Sequence, residues 1–504
     1  NQKLNVFYGQ NEKFEVSGFS FGIKDRKKLF AVFDDFDAED GYIQGVEIYS
    51  NYFNHLIIKE NVGIVLRVDP VYEKTSTVTD SIWSARGFGY INDGVEEAIV
   101  HDEIETRDSV ENELQVQYFK HIMCQLYESN INLKNSDEKF SQQLEHNSDG
   151  IFYLDNSRSF QQASGIWYFQ VMFPELYKDL KKIYTGNVML GDIVLNENSI
   201  DVYFDANYGE ALGKIYEKLN GAKFDKNVLK YIHQNTTGYF TYNINLKEGY
   251  NQAYDIIIPI LNKENDPRIS SSILLAELIN EFVDTDALFD TYKGSMFGSF
   301  NGVKTVKTKK IEFEYDEETF EYEEKEIEGE EEMPIFTLGF STDRNDIPEK
   351  VMKHLDRITE RFHRVGNYWV VEEAIFNSVP LYIINDNNLL IFTNDEDLAK
   401  NHSHGYGSQA LRGKRARAAK KSTFMYGYFD WGAALSDLPK ELFNNKQNEI
   451  LNTMRDKTGV IELNSSKTTK EHTTLHLGYR FEGDYDNSGK YLLDLVNSVY
   501  VLSK

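Results

Sequence analysis

Seven cations fall between Asp397 and Asp430 without one acid among them: Lys400, Arg412, Lys414, Arg415, Arg417, Lys420 and Lys421, with His402 and His404 alongside. A local reversal of sign in an acidic chain is chemistry for anions, whether a lipid head group, a glycan phosphate or an acidic protein surface. The alternative is a solvated loop, left to water or paired with the acidic segment 312–332 of the same chain. Gly405, Gly407 and Gly413 do not compose a phosphate cradle, because the sequence predicts neither the strand before nor the helix after that such a motif needs. The opposite extreme of charge lies at Glu317, Glu318, Glu321 and Glu323, inside a run of alternating glutamates and apolar residues. Together these residues are the candidate partner-binding set.

Metal and nucleophile chemistry find weaker footing. Asp484-Tyr485-Asp486-Asn487-Ser488-Gly489 copies the start of a calcium loop, but Leu495 stands where a bidentate Glu is needed. Asp34–Gly41 is displaced by one residue at its glycine. Both read as turns. His402 with His404, and His472 with His476, lack the HExxH spacing of a zinc enzyme. There is no GxSxG elbow and no supported SxxK serine. The one cysteine, Cys124, lies in an apolar stretch, so no intramolecular disulfide forms and a buried thiol is expected. Carboxylate pairs for glycoside hydrolysis depend on a separation that only a structure gives. No catalytic residue, metal or cofactor is assigned, and the expectation is a protein that is not an enzyme.

The elements that must carry these groups are strands and short helices. Val379–Ile384, a turn at Asn385–Asn388 and Leu389–Thr393 make a hairpin, since Asn and Asp tolerate the left-handed dihedrals of tight turns. Thr393-Asn394-Asp395-Glu396-Asp397 then supplies the side-chain oxygens and acids of a helix N-terminus and opens a short helix through Leu398 and Ala399. The same strand–strand–helix pattern recurs at 186–219. Strand-then-helix pieces recur at 237–244 and 424–431, and at 336–363 and 473–500. Most aromatics alternate along these strands, which argues for core packing over ligand stacking. Further strands are expected at Leu4–Tyr8, Phe14–Ile23, Lys28–Phe33, Tyr42–Tyr49, Asn61–Val68 (ended by Pro70), Ile151–Leu154 and Ile166–Val171. A helix is expected within 93–130 and another opening at Pro174. Lys307–Met333 reads as a hairpin with one very acidic face.

The pattern predicts an α+β fold of duplicated lobes, mainly antiparallel sheet backed by helices, with a protruding acidic β-hairpin. The expected division is 1–149 as a β-rich lobe with a helical segment, 150–304 as a first α+β lobe, 305–333 as the hairpin insertion and 334–504 as a second lobe. The 504 residues are 41% hydrophobic and 14% aromatic, enough to fill cores. A net charge of −27 argues against a nucleic-acid binder, because phosphates are repelled by the average field. No apolar run reaches the roughly 18 residues of a membrane-spanning helix. The chain begins at Asn1 with no initiator Met and no leader, as a mature chain after signal-peptide removal would, or a trimmed one.

Asn61–Val68, Leu288–Val303, Pro334–Phe340, Pro380–Thr393 and Tyr426–Trp431 resemble strand phrases of a large uncharacterised extracytoplasmic family of Bacteroidota cell-envelope proteins. The resemblance covers mainly residues 230 to 504. It implies an exported, duplicated α+β protein of the periplasm or the outer membrane, and carries over no catalytic residue. The expectation is therefore a non-catalytic binding or scaffold subunit with protein partners in an outer-membrane-associated complex, without nucleic acid and without a transmembrane segment of its own. The rival expectation is an extracytoplasmic glycan-binding protein or hydrolase with its site between lobes.

Overall fold

The computed structural model describes residues 5–10, 14–39, 45–51, 54–70, 115–123, 127, 138–156, 172–220, 223–263, 266–282, 284–316, 321–375, 379–386, 388–422, 424–438, 443–483 and 485–503. The chain forms two compact units, Asn1–Tyr153 and Leu154–Lys504. Both are antiparallel sheet with helices, an α+β fold. Among the described residues, no helix is long and apolar enough to cross a membrane.

The first unit holds β1 (Asn5–Gln10), β2 (Phe14–Gly22), α1 (Arg26–Val32), β3 (Asp37–Glu39), β4 (Glu47–Asn51), β5 (Asn54–Lys59), β6 (Val62–Pro70), α2 (115–123) and α3 (Glu138–Gln143). Its six strands lie in the order β1-β2-β6-β5-β4-β3. β5 is buried on both faces, which is why it reads as the unbroken apolar run Leu56-Ile57-Ile58. On one face Ile48, Ile57, Leu66 and Val68 meet Phe119, Ile122 and Met123 of α2. On the other, Leu56 and Ile58 meet Leu29 and Phe30 of α1. The expected strand Lys28–Phe33 is thus a helix. The Asp25 side chain accepts from the Lys27 and Lys28 backbone N–H groups, an N-cap that settles the local choice in favour of helix. Residues 93–114 of the expected helix, Cys124, and the expected strand 166–171 lie outside the described residues.

The second unit follows with β7 (Gly150–Asp155) straddling the division. Then come α4 (Pro174–Ile183), β8 (Asn187–Leu195), β9 (Ser199–Tyr208), α5 (Gly209–Leu219), a 3-10 turn (Lys226–Tyr231), β10 (Gly238–Asn243), α6 (Leu246–Leu261), α7 (Pro267–Phe282) and α8 (Thr285–Asp290). The middle comprises β11 (Ser295–Asp316), β12 (Glu321–Ser341), α9 (Asp346–Ile358), β13 (Phe362–Val365), β14 (Tyr368–Ile375), β15 (Val379–Asp386), β16 (Leu389–Thr393), α10 (Glu396–Lys400) and α11 (Gly413–Lys421). The last part is β17 (Met425–Asp430), α12 (Trp431–Ser436), α13 (Asn445–Lys457), β18 (Val460–Ser465), β19 (His472–Arg480) and α14 (Ser488–Ser503).

These strands make one 13-stranded sheet in the order β13-β14-β15-β16-β12-β11-β10-β17-β18-β19-β9-β8-β7. Outward from the β10–β17 pair, β11, β12, β16 and β15 on one side mirror β18, β19, β9 and β8 on the other. The sequence copies β8-β9-α5-β10-helices-β11-β12-α9 and β15-β16-helices-β17-helices-β18-β19-α14 have the same element order. Each copy lends its first hairpin to the other: β9 pairs with β19, and β16 with β12. The duplication therefore closes into a single sheet rather than two, with the lent hairpins as its outer arms.

The long β11–β12 hairpin runs past the rest of the sheet. Beyond the irregularity between Phe300 and Val303, β11 and β12 pair, among the described residues, only with each other, out to Asp316 opposite Glu321. One sheet face packs Phe340, Trp369, Ile383 and Leu390 against Met352 and Leu355 of α9. The other packs Tyr239, Phe297, Ile384, Leu389, Ile391 and Tyr426 under Val228 and Tyr231 of the 3-10 turn, Leu398 and Ala399 of α10, and Ala416 and Ala419 of α11. Burial of each large aliphatic side chain there contributes about 1.5–3 kcal/mol. This second layer of short helices carries the groups that matter next.

Candidate functional site

Asp395 is placed by two local interactions. The chain leaves β16 through Thr393, whose hydroxyl accepts from the Asp395 N–H at 3.0 Å. The Asp395 side chain then caps α10 by accepting from the Leu398 N–H at 3.4 Å. The carboxylate ends up 5% exposed. Its Oδ2 accepts from the Tyr406 hydroxyl at 2.9 Å, and the Lys304 ammonium stands 3.8 Å from Oδ1. The Tyr406 oxygen in turn accepts from Asn301 Nδ2 at 2.9 Å. Burial foremost, with the Asp395 charge behind it, pushes the Tyr406 hydroxyl far above the ordinary tyrosine range, so it stays a donor. An amide-to-hydroxyl-to-carboxylate chain results, drawn from β11, the 402–409 segment and the α10 cap.

This chain lines a cavity of about 530 Å³ at the foot of the β11–β12 hairpin. His233, Lys304, Asp397, Asn401, His404 and Gln409 line it as well. Gly405 fixes the turn that brings Tyr406 in. Its φ is +54°, and a Cβ there would run into the Lys230 carbonyl oxygen, which accepts the Tyr406 N–H at 2.9 Å.

The basic stretch beyond it is a helix where a loop was expected. α11 begins at Gly413 and turns Ala416 and Ala419 into the core. Alanine, arginine and lysine are all strong helix formers, which explains the change. The helix separates the seven candidate cations into two groups. Lys400 pairs with Glu396 at 2.8 Å, one turn back on α10. Arg412 donates to the Gly407 carbonyl at 3.1 Å. Arg415 donates to the Gln234 carbonyl and lies 4.4 Å from the centroid of the Tyr428 ring. Lys414, Arg417, Lys420 and Lys421 are exposed, and none has a carboxylate within ion-pair distance among the described residues. Of the acidic candidates, Glu317 and Glu318 lie outside the described residues. Glu321 and Glu323 stand in β12 opposite Asp316 and Glu314.

A second polar cluster contains only His476 of the sequence candidates. Asp201 of β9, 5% exposed, accepts from Ser199 Oγ at 2.7 Å, Asn196 Nδ2 at 2.9 Å and Arg480 at 2.8 Å, and meets His476 Nε2 at 2.7 Å. Tyr203 stacks on His476 with centroids 4.5 Å apart. Asp201 and Arg480 are 279 residues apart and meet only through the lent hairpin, so no local signal marks them. His472 likewise holds Asp205 at 2.9 Å, and His402 holds Asp386 at 3.0 Å. Each of these imidazoles has one carboxylate. Among the described residues no group of three or more His, Cys, Asp or Glu is arranged to hold a metal ion. The calcium-like stretch opens α14, with Asn487 Oδ1 accepting from the Lys490 N–H at 3.0 Å.

Comparison with protein-family models, curated proteins and solved structures returned no match for this chain.

Proposed function

We propose that the protein is a non-catalytic binding or scaffold subunit that docks an acidic protein surface through the outward face of α11. The observation that carries this reading is the row Lys414, Arg417, Lys420 and Lys421, exposed and without a carboxylate partner among the described residues, on a helix held in the core by Ala416 and Ala419. Like charges three and four residues apart on a helix oppose each other by a few tenths of a kcal/mol per pair. A chain of net charge −27 has acids to spare for neutralising them, yet among the described residues no carboxylate is paired with this face.

The chemistry of the face selects its partner. An interfacial membrane helix needs an apolar side turned to lipid, and the apolar side of α11 is turned to its own core. Nucleic acid and anionic membrane both offer extended negative fields that the rest of this chain repels. A compact acidic patch on another protein fits four cations on one helix, which would steer encounter and fix orientation. Placement in an envelope assembly is part of the same proposal and is supported by the strand phrases of residues 230 to 504.

Sedimentation of protein recovered from its native cells tests the reading. The wild type should travel at low salt as a complex with an acidic protein and dissociate at high salt. A variant carrying Lys414→Glu, Arg417→Glu and Lys420→Glu should melt as the wild type does and sediment as the free chain. A wild-type chain that travels alone at low salt, or a complex that survives the triple reversal, would overturn the proposal.

A further inference from the structure

We infer that the cavity at the foot of the β11–β12 hairpin binds a neutral saccharide unit. Its volume of about 530 Å³ sits inside the roughly 300–1,000 Å³ of small-ligand pockets. The wall is set before any ligand arrives: Asn301 Nδ2, the Tyr406 hydroxyl and the buried Asp395 carboxylate are joined at 2.9 Å each, and the Tyr406 N–H is anchored on Lys230. Such preorganisation lowers the ordering cost of binding.

The charges exclude most ligand classes. A phosphate or sulfate would face the carboxylates of Asp395 and Asp397, and a simple ammonium ligand would face Lys304, which stands 3.8 Å from Asp395. An aromatic or aliphatic ligand would find one aliphatic side chain, Leu398, already 1% exposed, and otherwise the rings of His233, His404 and Tyr406, each of which carries polar atoms. What the lining offers is hydrogen-bonding groups of both kinds: the Lys304 ammonium as donor, the Asp397 carboxylate as acceptor, and the remaining capacity of two amides, Asn401, which already donates to the Asp397 carbonyl at 3.0 Å, and Gln409, whose Oε1 already meets His233 at 3.2 Å. A polar, uncharged molecule bearing several hydroxyls, each able to donate and accept, matches that set. The lining comes from 233, 301–304 and 395–409, so the site is assembled from the two sequence copies and does not depend on α11.

Saturation-transfer NMR on the full chain with D-glucose, D-galactose, D-mannose, L-fucose and N-acetylglucosamine tests the assignment, with inorganic phosphate and spermidine as charged probes. At least one sugar should bind saturably. Asp397→Asn, at an exposed side chain, should weaken that sugar by about tenfold with an unchanged melting temperature, the loss expected for one hydrogen bond to a charged group, and Lys304→Met should weaken it as much while lowering the melting temperature, because it also takes the ammonium from beside the buried Asp395 carboxylate. The α11 triple reversal should bind the sugar like the wild type, which separates this site from the docking face. Saturable binding of none of the five sugars, sugar binding indifferent to both pocket variants, or a preference for phosphate or spermidine would overturn the inference.

Discussion

The Tyr406 hydroxyl donates to Asp395 Oδ2 at 2.9 Å, and this single bond joins the turn at Gly405 to the cap of α10. Removing the hydroxyl in Tyr406→Phe leaves a 5%-exposed carboxylate short of a donor and the Asn301 amide short of an acceptor. Hydrogen bonds to charged groups are worth about 1.5–3 kcal/mol, and the expected loss in unfolding free energy lies in that range. Urea titration followed by circular dichroism reads it directly. A variant with the wild-type midpoint would mean that water replaces the hydroxyl and that the chain of three groups is not a stabilising unit.

Much of the surrounding frame was legible in residues. The apolar runs of β15 and β16, buried without a break at Tyr382–Ile384 and Leu389–Ile391, the turn with Asn388 at φ +59°, and the helix start after Thr393 all follow from local rules that the sequence displays. α11 was obscured because Gly405, Gly407 and Gly413 punctuate the approach to it; Ala416 and Ala419, three apart between cations, were the available helix signal. The cavity was not legible at all, since His233, Lys304 and Asp397 become neighbours only through the sheet order. The same holds for Asp201 and Arg480. Long-range strand exchange leaves no mark within a window of ten residues.

His55 makes the first unit sensitive to mild acid. It lies buried in β5, stacked on Phe119 with centroids 3.7 Å apart and 2.6 Å from Ser50 Oγ. Burial pushes its imidazole below the ordinary value, with the Glu39 charge opposing more weakly. Below about pH 6.5 the unfolded chain takes up a proton that the folded site resists. Stability is therefore fully present above that pH and declines as pH falls toward the folded value. His55→Phe keeps a ring on Phe119 and should flatten this part of the profile. Thermal unfolding of the full chain at pH ~7.5 and ~5.5 compares the two; a wild type whose first transition is equally stable at both, or a His55 resonance titrating above about 6.5, would contradict it.

Asp201 governs a lower pH window. Burial alone would raise its pKa, but hydrogen bonds from Arg480, Ser199 and His476 outweigh that and hold it below the usual carboxylate range. Its contribution is present above the unfolded value of about 3.9 and is lost as pH falls through the lower folded one. Asp201→Asn should cost about 1.5 kcal/mol at neutral pH, the lower end for charged hydrogen bonds, because Arg480 and His476 remain partly in water. The cost should shrink as pH approaches 3. Parallel unfolding titrations of wild type and variant give the difference at each pH, and a cost that stays constant across the series would show that the charge of Asp201 is not what stabilises the fold.

The register of the long hairpin sets like charges against each other. Glu314 stands directly opposite Glu323, and Asp316 opposite Glu321, at the end farthest from the sheet. Like charges directly opposite destabilise an antiparallel pair, whereas opposite charges contribute about 0.2–1 kcal/mol. Glu323→Lys converts one repulsive pair into an attractive one without altering the backbone pairing that Ile311–Glu326 and Tyr315–Tyr322 define. Amide hydrogen exchange of residues 311–316 and 321–326 should slow by up to about fivefold in the variant, the rate equivalent of that energy. The gain should fade at high salt, as screening removes both repulsion and attraction. Equal exchange in the two proteins at low salt would show that the charge at position 323 does not set the stability of this pairing.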